Sequence, residues 1–178
     1  TNTKVNTKSK VGVEAEVEAE AEADVGEIQF LFIGSGARRA MVEDEVRTRG
    51  LANVQFRPYQ DRVSLSFSLG VGDVHLVSQR PEVEGYVFPS KLYGILAAGK
   101  PVVFIGDPQG EISVLVEREE IGVAVRQGDA AGLAEQLLRL ANDAALREAM
   151  DARARALLCE RYDKRIALKA WLGLLREL

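Results

Sequence analysis

Residues 73–106 read DVHLVSQRPEVEGYVFPSKLYGILAAGKPVVFIG, and the order of patterns within them decides the fold. Asp73–Val77 holds a short apolar run suited to a buried strand. Pro89–Ala98 has helical spacing and stops at Gly99, and Val102–Ile105 is a second apolar run. Pro89 near the helix start supplies a pre-set φ, and Ser90 is suited to cap exposed N–H groups. Ala97, Ala98 and Gly99 are small enough to let the helix pack closely on a sheet before Pro101 opens the next strand. Strand, helix and strand in this succession make a parallel unit with the helix laid on one face.

The same alternation continues outward. Upstream, Ile28–Ile33 ends at Gly34-Ser35-Gly36, Ala37–Arg49 has helical spacing and stops at Gly50, and Val54–Phe56 runs into Arg57-Pro58. Asp61 is placed to cap a helix through about Leu69. Downstream, Glu111–Arg118 reads as a helix and Gly122–Val125 as the last strand. Asp129 caps a helix to Asn142, and helical sequence continues over 143–158 and 166–178. The strands are nearly all-apolar, as burial on both faces requires. The expectation is α/β: a Rossmann-like, doubly wound parallel sheet of about five strands, helices on both faces. Ligands in such sheets sit at the carboxyl ends of the strands, so function is expected in loops 34–37, 57–61, 78–90 and 106–111.

The 178 residues are 47% hydrophobic, enough to close a core. One cysteine, Cys159, excludes an internal disulfide and fits a reducing compartment. No apolar run approaches the ~20 residues of a membrane span, and TNTKVNTKSK lacks the apolar centre of a signal peptide. The net charge of −4 resides wholly in residues 1–27, where three lysines face six glutamates and Asp24. The remainder is neutral and shows no basic stripe, which argues against nucleic-acid binding. Residues 1–26, with VEAEVEAEAEAD at 13–24, read as an acidic linker or frayed helix, and 27–178 as the domain.

Gly34-Ser35-Gly36 lies between a strand and a helix, where glycines let a phosphate approach the backbone; a plain tight turn is the other reading. It is a poor dinucleotide fingerprint, because Arg39 stands where the third small residue belongs and no acidic residue follows to hold a ribose. Lys91 falls in the first turn of its helix, where the macrodipole disfavours a cation unless an anion binds beside it. His75, the one histidine, reads as a buried, hydrogen-bonded core residue, and Cys159 as packing. Glu111 reads as a helix cap before a ligand contact. Trp171, Leu172, Leu174, Leu175 and Leu178 form an apolar stripe, core-packing by default, part of it exposed if a neighbouring domain is lacking. No His, Cys or Asp cluster has ligand spacing, so no metal and no cofactor are expected.

The succession FLFIGSG, NVQFRPY, DVHLVSQRPEVEGYVFPSKLYGILAAGKPVVFIG and GVAVRQGD resembles the C-terminal half of a GT-B glycosyltransferase of the retaining family four, of the type that builds bacterial capsule, exopolysaccharide and lipopolysaccharide. The likeness runs from about Ile28 to the C-terminus, and PSKLYGILAAGKPVV is its specific part. It implies a donor-binding domain whose ligand is a nucleoside-diphosphate sugar, a UDP-sugar first among them. Its partner would be an N-terminal acceptor domain that the 178 residues lack. By resemblance, Gly34 and Gly36 line the cleft and Pro58 and Tyr59 lie against the base. Glu84, Gly85, Tyr86, Ser90 and Lys91 face the diphosphate and sugar. The catalytic residue is not identified. The family's paired glutamates fall on Tyr86 and Gly94, so Glu84 replaces the first only if the loop differs in length. The family's first donor-domain strand, with its phosphate-binding Arg and Lys, has no counterpart, and turnover by the chain alone is not expected. The resemblance implies a cytoplasmic enzyme, with peripheral association at the inner face of the inner membrane. A nucleotide-sugar 2-epimerase of the same architecture and a non-catalytic flavodoxin-like interaction module are the alternatives.

Overall fold

The computed structural model describes residues 28–61 and 63–176; the acidic segment 1–26 lies outside them. The chain runs β1 (Phe30–Ile33), α1 (Arg39–Arg49), β2 (Val54–Arg57), α2 (Leu65–Gly70), β3 (His75–Ser78), α3 (Lys91–Ala98), β4 (Val102–Gly106), α4 (Glu111–Arg118), β5 (Gly122–Arg126), α5 (Ala130–Asn142), α6 (Ala144–Leu157) and α7 (Lys164–Arg176). A 3-10 turn at Pro81–Val83 and a π-helical turn at Leu158–Tyr162 complete it. Every strand pair is parallel, each joined through a helix.

The strands form two sheets. β1 pairs with β2, Phe30 opposite Val54; β3, β4 and β5 pair in that order, His75 opposite Val102 and Val102 opposite Gly122. β1 and β3 each end their sheet, and no backbone ladder joins them among the described residues.

β4 organises the core because its side chains alternate between faces. Val102 and Phe104 enter a cluster with Leu92, Ile95 and Leu96 of α3, Ile112, Leu115 and Val116 of α4, and Ala154 and Leu157 of α6. Val103 points the other way, into a smaller cluster with Val125, Leu140 and Met150. Helices therefore cover both faces of this sheet, as the apolar strands predict. β1 departs from that expectation. Leu31, Phe32 and Ile33 are 40%, 45% and 39% exposed, because α1 buries no residue and no second layer covers the strand. Among the described residues, every buried one lies at Val77 or beyond.

Several end signals act as read. Asp129 Oδ1 accepts the Gly132 N–H at 2.8 Å; Asp143, which the sequence reading did not mark as a cap, accepts the Leu146 N–H at 2.8 Å and starts α6. Gly99, at φ 62, closes α3 in the left-handed region, and Arg155 Nη2 donates to the adjacent Ala98 carbonyl at 3.1 Å. Ser90 is a correction: its side chain makes no capping bond. Its backbone is already helical (φ −57°, ψ −21°), whereas a capping serine needs an extended backbone to aim its hydroxyl at the first turn. Cys159 is a second correction, exposed on the π turn rather than packed. Of the apolar stripe, Trp171, Leu172, Leu174 and Leu175 on α7 stand in solvent, Trp171 65% exposed, and Leu178 lies outside the described residues.

His75 is half-buried, its Nε2 bonded to the Leu69 carbonyl at 2.8 Å. Burial holds its imidazole below the ordinary 6.5 and outweighs that bond; the charges of Lys100 and Lys91 push the same way. The folded state thus binds fewer protons than the unfolded one, so the stability from neutral His75 is whole above the unfolded value and declines as pH falls from there through the folded value. Urea midpoints measured at about pH 7.5 and about pH 5 should fall further for the native chain than for His75→Gln. Equal falls would show that His75 does not contribute.

Candidate functional site

The parallel strands put the ends of β1 to β5 on a common type of edge, and the expected site residues fall there. Gly34 and Gly36 follow β1, Pro58 and Tyr59 follow β2, and residues 79–90 follow β3. Gly34 donates its N–H to the Arg57 carbonyl at 3.1 Å, tying the first two loops together. Arg39 strengthens that tie: Nη1 donates to the Gly34 carbonyl and, at 3.0 Å, to the Arg57 carbonyl. Its guanidinium lies over the Phe56 ring, 5.6 Å from the centroid, and Nε pairs with Glu43 at 2.7 Å. The sequence reading noted Arg39 only as a break in a fingerprint; an arginine one helical turn after a glycine-rich loop was the available signal. Pro58 and Tyr59 sit in solvent, Tyr59 76% exposed. A groove of about 430 Å³ adjoins them between β1, β2 and α2, lined in part by Leu31, Ile33, Arg57, Gln60 and Phe67.

The second group is the loop 79–90, which is folded rather than loose. At its start the Gln79 N–H donates to the Ile105 carbonyl at 3.0 Å, and Gln79 Nε2 reaches across to the Val87 carbonyl at 2.7 Å. Tyr86 and Val87 both donate backbone N–H groups to the Val83 carbonyl, at 3.1 and 3.2 Å. Gly85, immediately before Tyr86, has φ 77, a left-handed conformation costly for any side-chain-bearing residue there. Glu84 turns to α4, its Oε1 accepting the Glu111 N–H at 2.7 Å. Phe88 stacks on Tyr93 of α3 with centroids 5.3 Å apart, and Tyr93 meets Tyr162 of the π turn at 5.5 Å. Tyr86 projects outward, 87% exposed.

The loop leads into α3 through Pro89. The Leu92 N–H bonds to the Pro89 carbonyl at 2.9 Å and the Tyr93 N–H to the Ser90 carbonyl at 3.2 Å. The backbone N–H groups of Gly85, Phe88, Ser90 and Lys91 have no acceptor among the described residues. Those of Ser90 and Lys91 stand at the positive end of the α3 dipole, those of Gly85 and Phe88 in the loop before it, and the Lys91 side chain is exposed. N–H donation and a lysine cation in a helix's first turn are groups suited to an anion. Among the described residues no hydrogen bond or aromatic contact links this group with Gly34, Gly36, Pro58 or Tyr59, and no acidic, histidine or cysteine cluster has metal-binding geometry. Nor is any described helix long and apolar enough to cross a membrane.

Comparison with known proteins bears on the family and the fold. A family model described as glycosyl transferases group 1 matches residues 8–157. WcaI of Escherichia coli (strain K12), described as a colanic acid biosynthesis glycosyl transferase, is 39% identical over 88 residues, 49% of this chain and 22% of that protein. Among solved structures, Anabaena HepE in complex with UDP-glucose superposes with a TM-score of 0.70 at 19% identity, covering 84% of this chain and 41% of HepE. WaaG, a glycosyltransferase involved in lipopolysaccharide biosynthesis, gives 0.60 at 20% identity, covering 75% and 34%. At these identities the two structures establish the fold. The match covers about a fifth of the length of WcaI, and the chain covers about a third of WaaG and about two fifths of HepE.

Proposed function

The chain belongs to the group 1 glycosyl transferases, and from that membership we propose that it is the donor-binding half of an enzyme moving a sugar from a nucleoside diphosphate, UDP first, to a growing surface glycan or lipid-linked acceptor. The observation that carries this reading is the N–H groups of Ser90 and Lys91 at the start of α3, without acceptors among the described residues, with those of Gly85 and Phe88 in the loop leading to it and the exposed Lys91 side chain in the first turn. Departure of a nucleoside diphosphate from the sugar leaves negative charge on the phosphates while C1 becomes cationic. Donors and a cation already fixed in place lower the energy of that separation without reorganising at the moment of reaction. Lys91 neutralises part of the growing charge, and the backbone groups orient the phosphate oxygens. Tyr59, on its exposed loop, offers a ring for the base to stack on. The relatives HepE, solved with UDP-glucose, and WcaI, named for colanic acid synthesis, support the donor class and the glycan setting.

Titrating UDP into the chain and following amide shifts tests the proposal. Millimolar UDP should shift the resonances of Tyr59, Ser90 and Lys91, and Lys91→Ala should weaken binding by roughly 1–3 kcal/mol, the range of a charge-assisted contact. Unmoved resonances at Ser90 and Lys91 would defeat the donor-site reading. Unchanged affinity in Lys91→Ala would remove the lysine from it.

A further inference from the structure

We infer that Glu84 is a positioning residue of the proposed donor site, acting through α4 and not on the sugar. The inference rests on the donor-binding reading and concerns what holds the loop that would do the binding. Helix α4 begins at Glu111, and its N-cap position is Gly110, which has no side chain with which to cap. The missing acceptor comes from 27 residues earlier, where Glu84 Oε1 takes the Glu111 N–H at 2.7 Å. A carboxylate there also meets the positive end of the helix dipole.

Gly110 makes room for this contact. Its backbone (φ −67°, ψ 156°) suits any residue, yet a Cβ built on it would lie 2.7 Å from Glu84 Oε2 and 2.8 Å from Glu84 Cδ. The empty side chain at 110 therefore admits the carboxylate. Gln79 holds the ends of the same loop, through the Ile105 and Val87 carbonyls. Glu84 pins its middle, immediately before the left-handed Gly85. With that pin removed, residues 84–86 keep only turn bonds made within the loop, and the N–H groups of Gly85 and Phe88 lose their fixed placement. Glu84 thereby differs from a side chain that grips the ligand: its carboxylate is already engaged.

Amide exchange and UDP titration of the 178-residue chain, three single variants and one double variant decide the matter. Glu84→Ala should speed exchange of the Glu111 amide about tenfold, move the Gly85 and Phe88 amide shifts, and weaken UDP about tenfold, the scale of a lost helix cap or charge-assisted bond. Glu84→Gln retains an oxygen for the Glu111 N–H and should stay within about threefold of the native chain in both readouts. Gly110→Ala leaves Glu84 in place chemically but displaces its carboxylate; it should reproduce Glu84→Ala, and the double variant should be no worse than either single one. The inference is overturned if Glu84→Ala leaves Glu111 exchange unchanged. It is equally overturned if Glu84→Gln loses UDP as severely as Glu84→Ala while Glu111 stays protected, for the carboxylate would then be touching the ligand. Failure of the native chain to respond to UDP sinks the donor reading instead, and the Glu111 exchange with the Gly85 and Phe88 shifts still judges the anchor.

Discussion

In deuterated water the amides of Val102, Val103 and Phe104 should outlast those of Leu31, Phe32 and Ile33 by about a thousandfold or more. β4 has a parallel ladder on each side, whereas β1 has one on a single side, so alternate β1 amides lack a ladder acceptor and the others open under thinner cover. β4 lies between two neighbours, with Leu92, Ile95, Ile112 and Val116 on one face and Leu140 and Met150 on the other. Opening it exposes much of the core, so its exchange approaches the cost of global unfolding. β1 has one neighbour, and no residue of β1, α1, β2 or α2 is buried. Its bonds can open with little apolar surface newly exposed, and about 4 kcal/mol less opening free energy corresponds to the stated factor. Mass-spectrometric exchange on peptides covering 28–34 and 100–106 makes the measurement. Equal protection would mean that the first two strands share in the cooperative core despite their exposure.

Gly122→Ala should destabilise the fold by roughly 3 kcal/mol, the upper range for forcing extra volume into a close-packed site. Gly122 opens β5 opposite Val102, and a Cβ there would lie 1.8 Å from the Val102 carbonyl oxygen and 2.9 Å from the Val102 nitrogen. Both are backbone atoms, so no side chain can swing aside. The strands must part where the Val102 N–H meets the Ile121 carbonyl at 3.1 Å. That strains the entry of both strands into the core, and for a chain of this size the melting temperature should fall by roughly 10 °C. A loss under about 1 kcal/mol would show that the β4–β5 junction yields more readily than a packed interior does. Gly110→Ala is the contrasting case, because there the obstacle is the far end of the flexible Glu84 side chain.

Local signals in the sequence predicted well wherever the cause was local. Glu111–Arg118 was legible to the residue because its apolar positions recur at helical spacing and Ile121 and Gly122 lie beyond its end. Asp129 was legible as a helix start because a short carboxylate bonds an N–H group three positions on, whereas Asp143, which does the same, was passed over as continuing helix. The βαβ order around α3 followed from two apolar runs and a glycine stop. Features set by distant partners were not legible. The exposure of β1 depends on which layer covers it, and FLFI carries no record of that. The π turn at Leu158–Tyr162 accompanies the packing of Tyr162 against Tyr93, across most of a domain in sequence. Glu84 was legible as a charged residue near a ligand loop, but its partner is an N–H 27 positions away. Ser90 misled for a different reason: serine is common at caps, but here the backbone enters the helical region one residue too early for the hydroxyl to serve. The family resemblance supplied the expected site residues; the structure adds which N–H groups near them remain unspent.

Trp171 is the chain's one tryptophan, and it stands largely in water on α7, away from the clusters around β4. Its folded-state fluorescence should already be that of a solvated indole, and melting the interior should change its emission colour little. Denaturation followed by indole light alone would report the fate of the last helix, and circular dichroism is the better witness to the sheet. Conversely, a blue shift of that single fluorophore would announce that something had come to lie over α7.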